Sequence, residues 1–248
     1  MKNNLLIIGV VILLVIVAYL LAAHHSIYKR IADAGLKASD VKGEYIIGNG
    51  TENGSKLKYT ALGDSLTAGV GVAKYEESYP YLIAQKISGG TNAVDLHDRS
   101  YPGARTDDLI NNFLTAAVND QPDIVTLLIG VNDIHGNVSK TQFSENYAKI
   151  LKRLKTETKA RVFAVSIPYI GTDSLLLPPF NLYFKRETVE FNKIIKQLAR
   201  DYNATYVDLY TPTEQNSNQA DFYAKDSFHP SAKGYALWAE IIYADYHQ

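Results

Sequence analysis

The chain has 248 residues, and its 25 Lys and Arg nearly balance its 26 Asp and Glu, which leaves a formal net charge of −1. This neutrality gives no electrostatic reason to expect a nucleic-acid partner, because proteins that bind nucleic acid usually present a basic face. The absence of cysteine excludes disulfides, thiolate metal sites and a cysteine nucleophile. The length suffices for one large domain.

An uncharged apolar segment, Leu5–Ala23, stands near the start of the chain. As a helix its 19 residues would span roughly 28 Å, close to the hydrocarbon thickness of a bilayer. A cleaved signal peptide usually has a shorter apolar region and small residues at its cleavage site, where this chain has Leu21. We therefore predict that residues 1–23 are an uncleaved transmembrane anchor. A very short N-terminal flank is typical of an anchor that leaves the C-terminal body outside, so we predict that the body of the protein is extracytoplasmic. Secretion after cleavage is the alternative.

Residues 24–56 contain many turn formers and predict a linker. The run Gly48–Ser55 is built of Gly, Asn, Thr, Glu and Ser, a composition that favours turns and flexible chain. One short helix near Ser26–Leu36 is expected within this tether. Residues 57–248 are predicted to form the folded domain.

From Leu57 onward, short apolar runs alternate with longer amphipathic runs. Such alternation favours right-handed βαβ units and a parallel sheet covered on both faces. We therefore predict an α/β domain, a three-layer α/β/α sandwich around a mainly parallel sheet of about five strands. The predicted strands are Leu57–Leu62, Ala93–Leu96, Ile124–Ile129, Val162–Ile167 and Tyr206–Leu209. The predicted helices are Pro80–Ile87, Asp107–Val118, Thr141–Thr156, Tyr183–Asp201 and Ala232–Tyr246.

A serine follows the first predicted strand, in the run Leu62–Gly69 (LGDSLTAG). At the tip of a strand and the start of a helix, Ser65 would expose its hydroxyl. Its N–H would point to the helix N-terminus, where negative charge is stabilised. Ser65 is therefore a candidate nucleophile. The alternative is a serine that only caps the following helix.

The second chemical signal is the run Asp226–Pro230 (DSFHP). A spacing of three lets the carboxylate and the imidazole converge in one turn. Asp226 can then hold His229 in the tautomer whose other nitrogen accepts a proton from a serine. Of the six histidines, His229 alone has an aspartate three residues before it. A lone histidine is more often structural, but this pairing, together with a serine at a strand tip, favours a catalytic role.

Two segments in the middle of the chain offer hydrogen-bond donors. Gly103 lies in a tight loop, Ser100–Thr106, where a residue without a side chain can bring its N–H close to a substrate. Asn132 follows the strand Ile124–Ile129 and places an amide at the strand end. With the N–H of Ser65, these groups would form an oxyanion hole with three donors. For Gly103 and Asn132 the alternative is ordinary turn chemistry.

In this order and approximate spacing, the four segments resemble the SGNH (GDSL) hydrolase family over Leu57–Tyr246. The resemblance implies a flavodoxin-like fold and acyl transfer through a covalent intermediate, without a cofactor. Asp64 and Asp133 are expected to support their loops. The functional residues that the resemblance implies are Ser65 as nucleophile, Asp226 and His229 as the rest of the triad, and Ser65, Gly103 and Asn132 as oxyanion donors.

A long apolar loop, from Ile167 to Phe180, follows a strand whose end is expected to face the site. An exposed apolar loop near a nucleophile is suited to cradle an acyl chain. The alternative is that its leucines pack beneath the loop. The predicted pocket residues are His135, which closely follows Asn132, and Tyr169, Leu175, Leu176 and Leu177.

These features predict a serine esterase or lipase that acts on small ester or lipid substrates at the cell envelope. The 18 tyrosines are also suited to stacking on sugars, so deacetylation of cell-surface glycans by the same mechanism is an alternative. An alternative of another class is a non-catalytic, membrane-tethered binding module. No HExxH motif or Cys/His cluster supports a metal site.

Overall fold

The computed structural model describes residues 2–38, 43–49, 56–89, 93–169, 171–172 and 174–247. The strands are β1 (Glu44–Ile47), β2 (Leu57–Gly63), β3 (Val94–Ser100), β4 (Ile124–Leu128), β5 (Arg161–Val165) and β6 (Thr205–Val207). The helices are α1 (Lys2–Ala34), α2 (Tyr79–Ser88), α3 (Thr106–Asn112), α4 (Leu114–Asn119), α5 (Val131–His135), α6 (Lys140–Glu157), α7 (Phe180–Asp201), α8 (Tyr210–Gln215) and α9 (Ala232–Ala244). Short 3₁₀ turns lie at Tyr75–Glu77, Ala220–Phe222 and Asp245–His247.

The described strands form one sheet in the order β1-β3-β2-β4-β5-β6. Every neighbouring pair is parallel except β1 with β3. Strand β4, with the sequence IVTLL, is buried along its whole length, as expected for a central strand of a sheet that is covered on both faces. Helices lie on both sides of the sheet. The predicted three-layer α/β/α sandwich with a mainly parallel sheet is therefore confirmed.

The carboxyl ends of three neighbouring strands lie level with one another. Gly63, the last residue of β2, pairs with Ser100 at the end of β3 and with Leu128 at the end of β4. The chain leaves all three strands at the same edge of the sheet, so the loops that follow them converge. In open α/β sheets this edge is where ligands bind.

The sheet contains one strand more than the five that were predicted. Glu44–Ile47 lies within the predicted linker, yet it pairs antiparallel with β3, from Glu44 opposite His97 to Ile47 opposite Val94. Such a short edge strand has no clear alternation of its own, and its partner is distant in sequence. The folded part of the chain therefore includes a piece of the predicted linker. Residues 50–55, the remainder of the predicted flexible run, lie outside the described residues.

The helices differ from the predictions in three places. The predicted helix Asp107–Val118 is divided into α3 and α4 at Phe113, whose backbone leaves the helical region. The short helix predicted near Ser26–Leu36 is not separate, because α1 continues without a break to Ala34. Helices α5 and α8 were not predicted, since five or six residues are too few to show an amphipathic pattern.

Helix α1 is, among the described residues, long and apolar enough to cross a membrane. The large apolar side chains from Leu5 to Leu21 are exposed to the surroundings of the protein, except for Leu20, which is half-buried. At the end of this segment the environment changes, because Ala23 and Ile27 are only 5% and 1% exposed. The C-terminal part of α1 thus packs against the folded domain.

Candidate active site

Ser65 lies in a tight turn that begins where β2 ends. The N–H groups of Thr67 and Ala68 both donate to the carbonyl oxygen of Asp64, at 3.1 and 3.0 Å. Gly63 makes the turn possible, because a Cβ there would lie 2.1 Å from the Thr67 hydroxyl oxygen. The expectation that Ser65 begins a helix was wrong: the chain forms successive turns, and the next α-helix starts at Tyr79.

Asp226 and His229 are held together by a compact loop. Oδ1 of Asp226 accepts the backbone N–H groups of Phe228 and His229, at 2.9 and 3.0 Å. Its other oxygen, Oδ2, lies 2.6 Å from Nδ1 of His229. Ser227 reverses the chain between them with a φ of +61°. A three-residue spacing therefore brings the carboxylate and the imidazole into contact, as the sequence predicts.

The same imidazole contacts the serine from the other end of the domain. Nε2 of His229 lies 3.0 Å from Oγ of Ser65. The two loops dock closely, because a Cβ on Gly71 would lie 2.3 Å from the carbonyl oxygen of Pro230. The Tyr235 hydroxyl also donates to the carbonyl oxygen of Val70, at 2.9 Å. The structure therefore joins Ser65, His229 and Asp226 in one hydrogen-bonded chain.

The electrostatics of this chain favour a charged carboxylate. Burial alone would raise the pKa of Asp226, whose exposed fraction is 0%. The hydrogen bond and the charge of His229, together with two backbone N–H donors, outweigh the burial and hold the pKa of Asp226 below its ordinary value. Asp226 is thus ionised at neutral pH and can orient the imidazole.

Gly103 and Asn132 lie beside Ser65, at the edge where the strand-end loops converge. Gly103 has a φ of +86°, a conformation that favours glycine, and is exposed. Nδ2 of Asn132 donates to the carbonyl oxygen of Ala104 at 3.0 Å and lies 3.4 Å from Oδ2 of Asp64.

These two residues share a cleft of about 540 Å³ with Ser65 and His229. The volume lies within the range of small-molecule sites. The structure therefore brings together all five residues that the sequence singled out for the triad and the oxyanion hole.

Asp64 and Asp133 are buried beneath the cleft, with exposed fractions of 1% and 0%. Asp133 accepts the N–H and the hydroxyl of Thr106, at 3.0 and 2.5 Å, and so ties the first residue of α3 to α5. Burial raises the pKa of Asp64 to about 7 and that of Asp133 to about 6, against opposing hydrogen bonds from Leu66 and Thr106 respectively. Within the described ranges, no group of three or more His, Asp and Glu side chains is placed to hold a metal ion.

We expect the stability of the protein to depend on pH through Asp64. Its pKa rises from 3.8 to about 7 on folding. The protonated Asp64 therefore contributes its full stabilisation below the unfolded-state pKa, and this contribution is lost as the pH rises through the folded-state pKa. Asp64→Asn cannot ionise. Between pH 5 and 8 the wild type should therefore lose about 3 kcal/mol of unfolding free energy relative to the variant. Chemical denaturation at several pH values measures the difference.

The matched control for this experiment is Asp201→Asn, which removes an exposed carboxylate at the end of α7. Its pH dependence should follow that of the wild type. Parallel curves for D64N and the wild type would contradict the role assigned to Asp64.

The predicted substrate-pocket residues separate in the structure. His135 lines the cleft that contains Ser65, whereas Tyr169 does not, and its ring lies instead against Tyr210. Leu175 and Leu176 are buried in the core, 3% exposed each, and only Leu177 of the three leucines is exposed. Leu175 and Leu176 therefore pack beneath their loop, as the alternative interpretation expected, and Leu177 does not.

Two residues of α1, Tyr28 and Ile31, also line the cleft, although both lie within the predicted linker. The four-residue spacing of Ala23, Ile27 and Ile31 is the sequence pattern that could have indicated a continuing helix with one buried apolar face.

Comparison with known proteins shows related sequences. A sequence profile described as the GDSL-like Lipase/Acylhydrolase family matches residues 61–237. The spore germination lipase LipC of Bacillus licheniformis is 23% identical, over 76% of this chain and 95% of its own. An acetylxylan esterase of Geobacillus stearothermophilus is 24% identical, over 74% of this chain and 81% of its own.

Solved structures share the fold. The lipase/acylhydrolase from Enterococcus faecalis superposes with a TM-score of 0.62 at 23% identity, covering 76% of this chain and 94% of that one. Axe2, an acetylxylan esterase from Geobacillus stearothermophilus, superposes with a TM-score of 0.61 at 18% identity, covering 79% and 96%. Because the family profile spans most of the folded domain, the chain belongs to the GDSL-like lipase/acylhydrolase family.

Proposed function

We propose that this protein is a serine ester hydrolase that works through an acyl-enzyme. The observation that carries the proposal is the hydrogen-bonded chain from Oγ of Ser65 through His229 to Asp226, with links of 3.0 and 2.6 Å. Three side chains in this arrangement supply a nucleophile, a base and a group that orients the base.

In the first half of the reaction, Ser65 attacks the carbonyl carbon of the ester. Nδ1–H of His229 donates to Asp226, so the lone pair of Nε2 accepts the proton that Ser65 loses. The carbonyl oxygen becomes an oxyanion, which the N–H groups of Ser65 and Gly103 and the amide of Asn132 stabilise. The C–O bond of the ester then breaks, and His229 gives its proton to the departing alcohol.

In the second half, water repeats the sequence on the acyl-enzyme. His229 takes a proton from the water as it attacks, and returns that proton to Oγ of Ser65 when the acid leaves. Both halves use the same donors, and no cofactor takes part. Asp226 stays ionised throughout, which agrees with its lowered pKa.

The proposed substrates are carboxylic esters with lipid or short acyl groups. The relative LipC is described as a lipase, which supports the lipid side of this range. A second candidate, deacetylation of cell-surface glycans, is favoured by the acetylxylan esterase among the relatives. Release of acetate from acetylated xylo-oligosaccharides, compared with hydrolysis of p-nitrophenyl esters from two to sixteen carbons, separates the two candidates.

We further propose that α1 anchors the enzyme in a membrane and leaves the catalytic domain on the extracytoplasmic side. The long apolar helix near the N-terminus supports this arrangement, and secretion after cleavage is the alternative. A reporter fused after Gln248 tests the orientation. Reporter activity confined to the cytoplasm would contradict it.

Labelling with a fluorophosphonate probe tests the proposed chemistry. The probe reacts with a serine only when a neighbouring base activates it, so the wild type should be labelled and the modified peptide should contain Ser65. Prior incubation with p-nitrophenyl acetate should slow the labelling. A folded sample that is neither labelled nor active on any ester would support the non-catalytic binding module instead.

A further inference from the structure

The part of α1 beyond the apolar segment is packed against the domain beside the active site. Ile27 is 1% exposed, and a guanidinium nitrogen of Arg30 donates to the carbonyl oxygen of Ser174 at 3.4 Å. The ring of His24 lies 5.8 Å from that of Phe180, at the start of α7. This part of the helix is therefore packed as a structural element of the folded domain.

A second cleft of about 580 Å³, lined in part by this segment of α1, adjoins the cleft that contains Ser65. It lies between α1 and the start of α7, and its apolar walls come from Leu20, Ile134, Phe180 and Phe184. Tyr28 and His135 line both clefts. These two side chains therefore lie where the two clefts adjoin.

The partition between the clefts consists of two rings joined by one hydrogen bond. The Tyr28 hydroxyl lies 3.1 Å from Nδ1 of His135, while Tyr28 remains 39% exposed. The His135 ring stacks on Phe184, with centroids 4.5 Å apart. Burial, assisted by His24, lowers the pKa of His135 to about 4, so the ring is uncharged at neutral pH and suits an apolar neighbour.

The second cleft reaches the level of the proposed membrane segment. Leu20 in its wall belongs to the apolar segment, and the neighbouring Tyr19 donates its hydroxyl to the carbonyl oxygen of Pro178, at 2.7 Å. The chain on either side of Pro178 presents large apolar side chains to the surroundings, namely Leu177, Leu182 and Tyr183. Tyrosine and exposed apolar groups are typical of a membrane–water interface.

The distance from this interface to Tyr28, which lines the cleft of Ser65, is short. Tyr28 follows Ala23 by five residues, which is about 8 Å along a helix. An ester whose acyl chain leaves the bilayer along α1 would therefore meet the second cleft first and the cleft of Ser65 next.

We infer that the second cleft is the acyl-chain site and that α1 forms part of it. The substrate class is a long-chain ester drawn from the bilayer, with its carbonyl group at Ser65 and its chain passing Tyr28 and His135. The inference rests on the proposed ester hydrolysis and adds its substrate class. In this arrangement the helix that anchors the enzyme also selects the substrate.

The test compares a short and a long ester on the full-length protein in detergent micelles. His24→Trp fills the second cleft from α1. Because methylene groups that are excluded from an apolar site lose the free energy of their burial, kcat/KM for p-nitrophenyl myristate should fall at least about tenfold more than kcat/KM for p-nitrophenyl acetate. His25→Trp is the matched control, because His25 is exposed on the same helix and is absent from the described walls of both clefts. It should keep the wild-type ratio of the two activities.

A third variant distinguishes the effect of filling the cleft from the effect of losing the imidazole of His24. His24→Ala empties space in the cleft and should keep or raise the myristate-to-acetate ratio. The inference is overturned if H24W keeps the wild-type ratio, if H25W lowers it equally, or if H24A lowers it like H24W. Hydrolysis of the acetate ester by the same preparations shows that the proposed function stands in each of those cases. A wild type inactive on both esters would overturn the proposed function itself.

Discussion

Ser65→Ala should lower kcat/KM for p-nitrophenyl acetate by about 10⁴-fold or more, the scale at which loss of a serine nucleophile is felt in other hydrolases. The hydroxyl that faces Nε2 of His229 is removed, so no acyl-enzyme forms. The remaining donors of the cleft can then assist only the direct attack of water. The substitution removes one oxygen from a side chain that is 7% exposed, so the fold should persist.

Steady-state kinetics and fluorophosphonate labelling measure this effect, with thermal unfolding by circular dichroism as the check on the fold. The matched control is Ser88→Ala, which removes a serine hydroxyl from the far end of α2, where it donates to the carbonyl oxygen of Gln85. S88A should retain wild-type kinetics and labelling. Substantial esterase activity in a folded S65A variant would remove Ser65 from the mechanism.

Asp226→Asn should lower kcat by about 10⁴-fold, as the same exchange does in a serine protease triad. The asparagine carbonyl can still accept the N–H groups of Phe228 and His229, so the loop should keep its shape. Its NH₂ group, however, would face Nδ1 of His229. That nitrogen would have to become an acceptor, which places the proton on Nε2 and leaves no base for Ser65.

Single-turnover release of p-nitrophenol and its pH profile measure this second prediction. Activity of D226N should recover partly at high pH, where hydroxide replaces the missing base. The control is Asp221→Asn, an exposed aspartate of the same region that pairs with Lys233. Equal losses in both variants would indicate a general effect on this region instead of the loss of an oriented base.

Local patterns predict most of the sheet, because each buried strand shows its own apolar run. Strand β4 is apolar enough to be recognised alone, and its observed end, Leu128, differs from the predicted one by a single residue. Strand β1 has no such signal. It is ordered by pairing with β3, far along the chain, and a local pattern contains no information about that partner.

The contacts within the candidate site also divide into one that is local in sequence and one that is distant. Asp226 and His229 are close in sequence, so their contact follows from a spacing that can be read directly. The contact of His229 with Ser65 joins residues 164 positions apart. It was anticipated from the resemblance to the SGNH (GDSL) hydrolase family, which implies that these residues act together, and from the expected convergence of strand-end loops at one edge of the sheet.

The sequence by itself determined the layered α/β architecture, the strand ends that are followed by chemically active residues, and the five residues predicted for the triad and the oxyanion hole. These depend on local apolar periodicity and on short motifs. Only the tertiary structure decided that the helix after the apolar segment is a wall of the site, that Leu175 and Leu176 are buried, and that Tyr28 meets His135. The physical reason is packing: which face of a helix or loop is covered depends on side chains distant in sequence, and no local pattern specifies them.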